Sequence, residues 1–310
     1  MENGEIKKDV VGIISLQSSC SSKIDERVER FVQEVKNFGL QPKILFFDKF
    51  FINFNDETFN IFYEEKKLNL KKFRAFIPTI NTHKNLDTNT FFIYVIEKLG
   101  GETVNNRAAI LRAKNKVKSG FILANAGLPI IPTAISFSEV GLKPLFNFIK
   151  GDEFICKLNY GSVGRGVSYI NSRISLISTF ELLKAEDIQP SKVMFQKFLK
   201  EAKGKDIRIF VVGNKAIAAI ERSANGIDFR ANLFSGGNAK TINPSEKIKK
   251  MAIKATKALG LDYSGVDVIM SKSGPRIVEV NPNPGLKIEQ VTGKNVTREI
   301  IKHILKKYPN

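Results

Sequence analysis

Cysteine and histidine are almost missing from this chain of 310 residues, with two of each. Cys20 and Cys156 stand far apart and outside any Cys-x-x-Cys spacing, so neither a disulfide framework nor a zinc knuckle is available, and a reducing, cytoplasmic setting is expected. His83 and His303 belong to no His-Glu-x-x-His pattern and no Ser/His/Asp set, which removes histidine-centred hydrolysis from consideration. Apolar runs are short, as at residues 10–14, far below the roughly 20 residues of a membrane-spanning helix. Residues 1–9 are polar and mixed in charge, so no signal peptide and no membrane partner are expected. Internal repeats and low-complexity linkers are lacking too.

What is present is ordinary globular material. Hydrophobic residues make up 43% of the chain and charged residues 26%, which excludes a disordered tail, a collagen or a coiled coil. The length exceeds the roughly 250–300 residues at which single cores stop growing, so two or three domains are expected. The formal charge of +18 is uneven: +2 over residues 1–113, +5 over 114–197 and +11 over 198–310. Such a field favours an anionic partner, whether nucleotide, acidic peptide or nucleic acid, although lysine-rich composition can also be a proteome-wide bias.

Residues 9–15 read as a buried strand, and Ile24, Val28, Phe31, Val32, Val35 and Phe38 then recur at helical spacing up to Gly39. Strands at 43–47 and at 73–77, the latter ending at Pro78, flank an Asn/Phe-rich segment, and residues 89–99 are helical. Strands alternating with helices indicate a doubly wound α/β domain over 1–113. In 114–197, helices at 116–126 and around 137–148 precede strands at 153–158, 167–170 and 193–197, a small mixed sheet. In 198–310, strands at 207–212 and 215–221 enclose a Gly213-Asn214 turn, the sign of an antiparallel hairpin. A helix opened by Asn243-Pro244 buries Ile248, Met251, Ala252, Ala255 and Leu259 on one face.

Three features carry chemistry. In a hairpin with a five-residue turn over 271–275, Asp267 and Glu279 lie equally far from Ser273 and face each other. Directly opposed carboxylates about 5 Å apart repel, so something positive must lie between them. Asn281 shares the face of Glu279 and adds a neutral oxygen, a set suited to Mg²⁺ bridging phosphates and not to zinc. A salt bridge to lysines on an exposed sheet is the plainer alternative. Second, Lys157 lies on a strand that feeds Gly161-Ser162-Val-Gly164-Arg-Gly166, where glycines let backbone N–H groups crowd a phosphate. The stretch has neither the Gly-Lys-Ser/Thr of a Walker loop nor a GxGxxG helix entry, and by itself could be a structural turn. Third, Arg222 and Arg230 could stabilise charge that develops in acyl or phosphoryl transfer, as well as being surface arginines.

Together these residues resemble the ATP-grasp enzymes, and among them the RimK-type amino-acid ligases, over nearly the whole chain. The most specific pieces are Lys203-Gly-Lys-Asp-Ile-Arg-Ile-Phe-Val-Val-Gly, Ala219-Ile-Glu-Arg, Asp228-Phe-Arg-Ala-Asn and Asn281-Pro-Asn-Pro-Gly-Leu. Lys114-Asn-Lys and Ile77-Pro-Thr-Ile-Asn-Thr match more weakly. The resemblance implies a three-subdomain fold, with 1–113 preceding a central part at 114–197 and a C-terminal part at 198–310, and ATP held between two antiparallel sheets. It places Lys116 and Lys157 on the phosphates, with the loop of Gly161, Ser162, Gly164 and Gly166 closing over them. Gln196, Lys197 and Phe198 would hold adenine through the backbone, and Asp206 would reach the ribose. Two Mg²⁺ ions, replaceable by Mn²⁺, would sit on Asp267, Glu279 and Asn281. Arg222, Arg230 and Asn232 would face the reacting acyl group, Arg230 and Asn232 also reaching the nucleotide. One departure is Lys197, where the family commonly has Glu.

The implied reaction is ADP-forming: ATP phosphorylates a carboxylate, and an amino-acid amine attacks the acyl phosphate to give an amide. The expected amino acid is glutamate. The acceptor would be a protein C-terminus, such as that of a ribosomal small-subunit protein, a polyglutamate-bearing cofactor, or an amino-group carrier protein of lysine or arginine biosynthesis. A basic RNA-binding or ribosome-associated module with a degenerate nucleotide fold is the rival from another class, disfavoured because the metal ligands are present. Association into a homo-oligomer stays open.

Overall fold

The computed structural model describes residues 8–21, 23–79, 86–136, 142–149, 153–161, 166–185, 193–202, 204–224 and 238–309. β1 (Val10–Ser15), α1 (Glu26–Asn37) and β2 (Gln41–Phe46) make a right-fitting β–α–β start, because Asp25 caps α1 by accepting from the Arg27 N–H and Val28, Phe31 and Val35 bury one helical stripe. β3 (Phe50–Phe54), β4 (Phe59–Tyr63) and β5 (Lys66–Lys67) then form an antiparallel sheet of their own where the sequence reading sees only an Asn/Phe-rich segment. Its alternation explains it: Ile61 and Tyr63 join the core while Phe51 stays 60% exposed. β6 (Phe73–Thr79) completes a parallel sheet of order β2-β1-β6.

β6 runs through Pro78 instead of ending there, pairing Pro78 with Ile14, since an edge strand does not need every N–H. The helix expected over 89–99 is two pieces, α2 (Leu86–Asn89) and α3 (Phe91–Lys98), broken at Thr90, whose hydroxyl donates back to the Leu86 carbonyl. α4 (Arg107–Lys114) and α5 (Lys116–Asn125) follow, each capped by an asparagine side chain, Asn106 and Asn115.

The second sheet has the order β7-β10-β8-β9 and is antiparallel throughout: β7 (Thr133–Ala134), β8 (Phe154–Leu158), β9 (Val167–Ile170) and β10 (Val193–Lys197). Phe154, Cys156, Val193 and Phe195 face a core with α6 (Leu142–Ile149) and α7 (Arg173–Ala185), through Leu145, Ile149, Leu176 and Phe180. By strand alternation Ile155, Lys157, Met194 and Gln196 face the other way.

The third sheet is antiparallel with order β13-β12-β11-β14-β15: β11 (Lys205–Val212), β12 (Lys215–Ser223), β13 (Asn238–Thr241), β14 (Tyr263–Ser271) and β15 (Gly274–Asn281). One face, including Ile209, Val211, Val266, Val268 and Ile277, packs on α8 (Glu246–Ala258) and on Ala109, Ala113 and Leu123 of α4 and α5. On α8 the five expected apolar residues are all buried, and Lys247, Lys250, Lys254 and Lys257 are exposed. The opposite face carries Phe210, Val212, Ala218, Ile220 and Tyr263 into a core shared with α1, α10 (Val296–Lys307) and the first parallel sheet. α9 (Lys287–Thr292) ties in through Glu289, which pairs with Arg30 of α1. No described helix is long and apolar enough to cross a membrane.

Candidate functional site

The face of the third sheet that carries Phe210 and Tyr263 turns charged further along the same strands. Asp206 and Arg208 lie four and two residues before Phe210, and register pairs Asp206 with Arg222, Arg208 with Asp267, and Asp267 with Glu279. The last pairing is the one read from the sequence, reached by a different route. The strands close at Ser271 and Gly274 around Lys272 and Ser273, tighter than the five-residue turn expected, and a bulge beyond Val268 restores the offset.

Opposite this face, Ile155, Lys157, Met194 and Gln196 of the second sheet close a cleft of about 590 Å³, with Lys114 and Lys116 at the α4–α5 junction along its wall. Of the residues singled out in sequence, Lys116, Lys157, Gly161, Gln196, Lys197, Phe198, Asp206, Arg222, Asp267, Glu279 and Asn281 all line this one cleft. Gly166 ends the glycine loop at φ +71, where a Cβ would come within 2.5 Å of Leu158, so a side chain there is strained twice over. Ser162, Gly164, Arg230 and Asn232 lie outside the described residues.

The positive charge that the opposed carboxylates require is supplied from neighbouring strands. Arg208 grips Asp267 through Nε and Nη2 at 2.7 and 2.6 Å, and Arg222 grips Asp206 through the same pair of atoms at 2.6 Å each while also reaching Asp267 at 2.9 Å. Burial alone would raise the pKa of Asp267, but the two guanidiniums outweigh it and hold the carboxyl below its usual range. Burial, then the nearby Asp267 charge, pushes Asp206 up to about 6 against the pull of Arg222 and Arg208. Arg208 was not singled out in sequence. Its two-residue step from Asp206 was visible, but the partner strand was not.

Lys116, the first residue of α5, donates to the Gly161 carbonyl at 2.7 Å and stands 3.7 Å from Glu279. Asn159 fastens the same helix start, its carbonyl accepting from the Lys116 N–H and its side chain from the Val117 N–H. The Lys157 ammonium has neither ion pair nor hydrogen bond among the described residues, and burial draws its pKa down to about 8. Gln196 donates to Thr133 Oγ1 at 3.0 Å, while its Oε1 is buried without a partner. The backbone N–H groups of Lys197 and Phe198 donate to the Pro132 and Glu153 carbonyls.

Asp267, Glu279 and Asn281 are hard oxygen donors, and among the described residues no further His, Cys, Asp or Glu completes a cluster of three with them. That donor set fits Mg²⁺ or Mn²⁺ and not zinc. Both Asp267 oxygens are engaged by arginine, so Glu279, with 35% of its side chain exposed and Lys116 at 3.7 Å as its ion-pair partner among the described residues, is the more open carboxylate. Asn281 Oδ1 accepts from the Asn283 N–H at 3.1 Å, which turns the chain after β15. That turn packs closely, since a Cβ on Gly265, paired with Asn281, would lie 2.9 Å from Pro284.

A sequence element missed altogether is Asn105, buried before α4. Its amide donates to the carbonyls of Tyr263 and Pro282 at 2.9 and 2.8 Å and accepts from the N–H groups of Asp262 and Tyr263. It thereby clamps the start of β14 to the residue that follows Asn281.

Residues 113–304 match the RimK-like ATP-grasp domain. The ribosomal protein bS6–L-glutamate ligase of Escherichia fergusonii is 35% identical over 258 residues, 82% of this chain and 83% of that one. A probable alpha-L-glutamate ligase of Pseudoalteromonas translucida is 34% identical over 304 residues, covering 96% and 95%. Among solved structures, the ATP-grasp ligase PsnB complexed with a phosphomimetic variant of its minimal precursor, Mg and ADP superposes with a TM-score of 0.73 at 16% identity, over 97% of this chain and 99% of that one. The D-cycloserine synthetase DcsG gives 0.69 at 15% identity, over 96% and 99%. The likeness of fold extends over both sheets that face the cleft, and the identity to the curated ligases is high enough to fix the family: the chain belongs to the RimK-like ATP-grasp enzymes, ATP-dependent ligases that form amide bonds.

Proposed function

We propose that the ligation performed by this chain adds L-glutamate to a carboxylate-ended protein or cofactor acceptor. The observation that carries the reading is the cleft itself: a half-buried Lys157, without an ion pair among the described residues, stands on one wall and opposed Asp267 and Glu279 on the other, with room between them for a nucleotide. The names of the curated relatives support glutamate as the added residue. The chain divides in this reading into 1–113, 114–197 and 198–310, the last two enclosing ATP.

Lys116 and Lys157 hold the phosphates, with Gly161, Ser162, Gly164 and Gly166 covering them. Gln196, Lys197 and Phe198 border the adenine, and Asp206 is assigned to the ribose, which would share its carboxylate with Arg222. Asp267, Glu279 and Asn281 would hold Mg²⁺, which supplies neutralisation of the transferring phosphoryl charge. An acceptor carboxylate oxygen attacks the γ-phosphorus as the bond to the β-phosphate oxygen breaks and ADP leaves. The glutamate amine then attacks the acyl carbon, phosphate departs, and the amine gives up a proton. Arg222, with Arg230 and Asn232, is assigned to the acyl oxygen. Arg222 is already fixed by two carboxylates, so little reorganisation is needed to present its charge. No covalent enzyme nucleophile is required, in keeping with the scarcity of cysteine and histidine.

The test is an ADP-release screen across carboxylate-ended acceptors and amino acids, read by the mass of the product. A gain of whole glutamate residues, lost in Glu279→Gln with the fold intact by circular dichroism, is the expected result. Release of ADP with a different amino acid incorporated, or full activity in Glu279→Gln, would overturn the reading.

A further inference from the structure

Among the charged groups that line the cleft, Lys114 is a cation that the phosphate chemistry does not use. Arg27 is paired with Asp25, Lys116 leans on Glu279, Arg208 holds Asp267, and Arg222 spans Asp206 and Asp267. The ammonium groups of Lys157 and Lys114 have neither ion pair nor hydrogen bond among the described residues, yet both lose enough water on folding that burial draws each pKa down to about 8. Lys157 is accounted for by phosphate. Lys114 is not.

The two lysines serve different ends of the cleft. The charges that act on Lys157 are Glu279, Lys116, Asp267 and Asp206, the groups of the third sheet's charged face. Those that act on Lys114 are Lys116, Arg27 and Glu279, without Asp206 or Asp267. Lys114 is the last residue of α4, and Arg27 belongs to the first turn of α1, so this end is walled by the first parallel domain. An ammonium held away from water beside two other cations is costly unless an anion arrives. The only carboxylate acting on it, Glu279, is nearer to Lys116 and is the more open of the expected metal ligands.

We propose that Lys114, with Arg27 beside it, forms a subsite for a substrate carboxylate at the first-domain end of the cleft, across Glu279 from the nucleotide. The subsite rests on the ligase reading above and deepens it. Its chemistry is carboxylate recognition, and the carboxylate comes either from the incoming amino acid or from the acceptor chain end.

The experiment is calorimetry on the full chain with Mg²⁺ and a non-hydrolysable ATP analogue, titrating L-glutamate and, separately, a short peptide that ends in glutamate. Lys114→Met keeps the length of the side chain and removes its charge. It is expected to weaken one titrant by roughly tenfold or more, as for loss of a charged hydrogen bond, while the analogue binds within about twofold of wild type. Lys114→Arg restores most of the affinity, and the titrant that responds identifies the source of the carboxylate. If the analogue weakens as much as the titrant, Lys114 is a phosphate ligand and the subsite falls. If every titrant that binds wild type binds Lys114→Met equally well, the subsite falls and the ligase reading stands. A wild type that binds the analogue and neither titrant overturns both.

Discussion

Arg222→Met tests whether the carboxylates of the site owe their arrangement to arginine. The guanidinium has 7% of its side chain exposed and lies between Asp206 and Asp267, themselves 15% and 5% exposed. Removing one partner from such a buried network costs about 3–5 kcal/mol, against about 0–1 kcal/mol for an exposed pair. The cost depends on pH in a direction fixed by Asp206. Its folded pKa of about 6 lies above its ordinary 3.8, so the folded protein binds the extra proton between those values, and stability falls as pH rises through that window. Above it the group costs on the order of 3 kcal/mol. Without Arg222 the folded pKa climbs further, the loss continues to higher pH, and the gap between variant and wild type widens from pH 5 to pH 8. Urea unfolding followed by far-UV circular dichroism reads this, the chain having no tryptophan. In Asp206→Asn/Arg222→Met the stranded charge is gone, and recovery of about 2 kcal/mol or more at pH 8 is expected. A loss below about 1 kcal/mol at both pH values, with no recovery in the double variant, would show that water screens these groups and would refute the reasoning.

Lys157→Ala removes an ammonium that has no ion-pair partner among the described residues, so it should weaken ATP by roughly tenfold or more in calorimetry while leaving the fold as stable as before. Unchanged nucleotide affinity would return the glycine loop to a structural turn. Asn105→Ala strips the buried amide from two carbonyls and two N–H groups, which should cost about 3 kcal/mol or more in urea unfolding and slow ADP release, because Pro282 follows Asn281 directly. Loss of stability with an unaltered turnover number would separate the clamp from the site.

Much of the site was legible because strands declare faces. The step of two between Glu279 and Asn281, and the symmetry of Asp267 and Glu279 about a turn, need only the pleat. The pairing held although the turn is shorter, since the bulge beyond Val268 makes up the missing residue, and a bulge leaves no mark in a single sequence. Arg208 was hidden for a different reason: it matters only because β11 lies beside β14, a neighbour 59 residues away. β3, β4 and β5 were missed because Phe51, Phe54 and Phe59 remain exposed although apolar, which blurs the alternation. Asn105 looked like loop polarity, and its importance comes from burial alone.

How the cores divide bears on how the cleft works. One core joins the first parallel sheet, α1 and α10 to Phe210, Val212 and Tyr263 of the third sheet, and the charged cluster continues that face. Position of Asp267 and Glu279 is therefore inherited from a dry, close-packed interior, and Asn105 extends the same body to the turn after Asn281. The second sheet has a core made only of its own strands and helices. It meets the site through polar links, Lys116 to the Gly161 carbonyl and Asn159 to the start of α5. Lys157 and Gly161, the proposed phosphate ligands, thus stand on one body, and the carboxylates with Lys114 and Arg27 on the other. In the proposed reading a nucleotide that satisfies Lys157 while its phosphates reach the carboxylate side bridges the two bodies, and phosphoryl transfer falls at their boundary, with the Lys157 ammonium on one wall and Asp267 and Glu279 on the other.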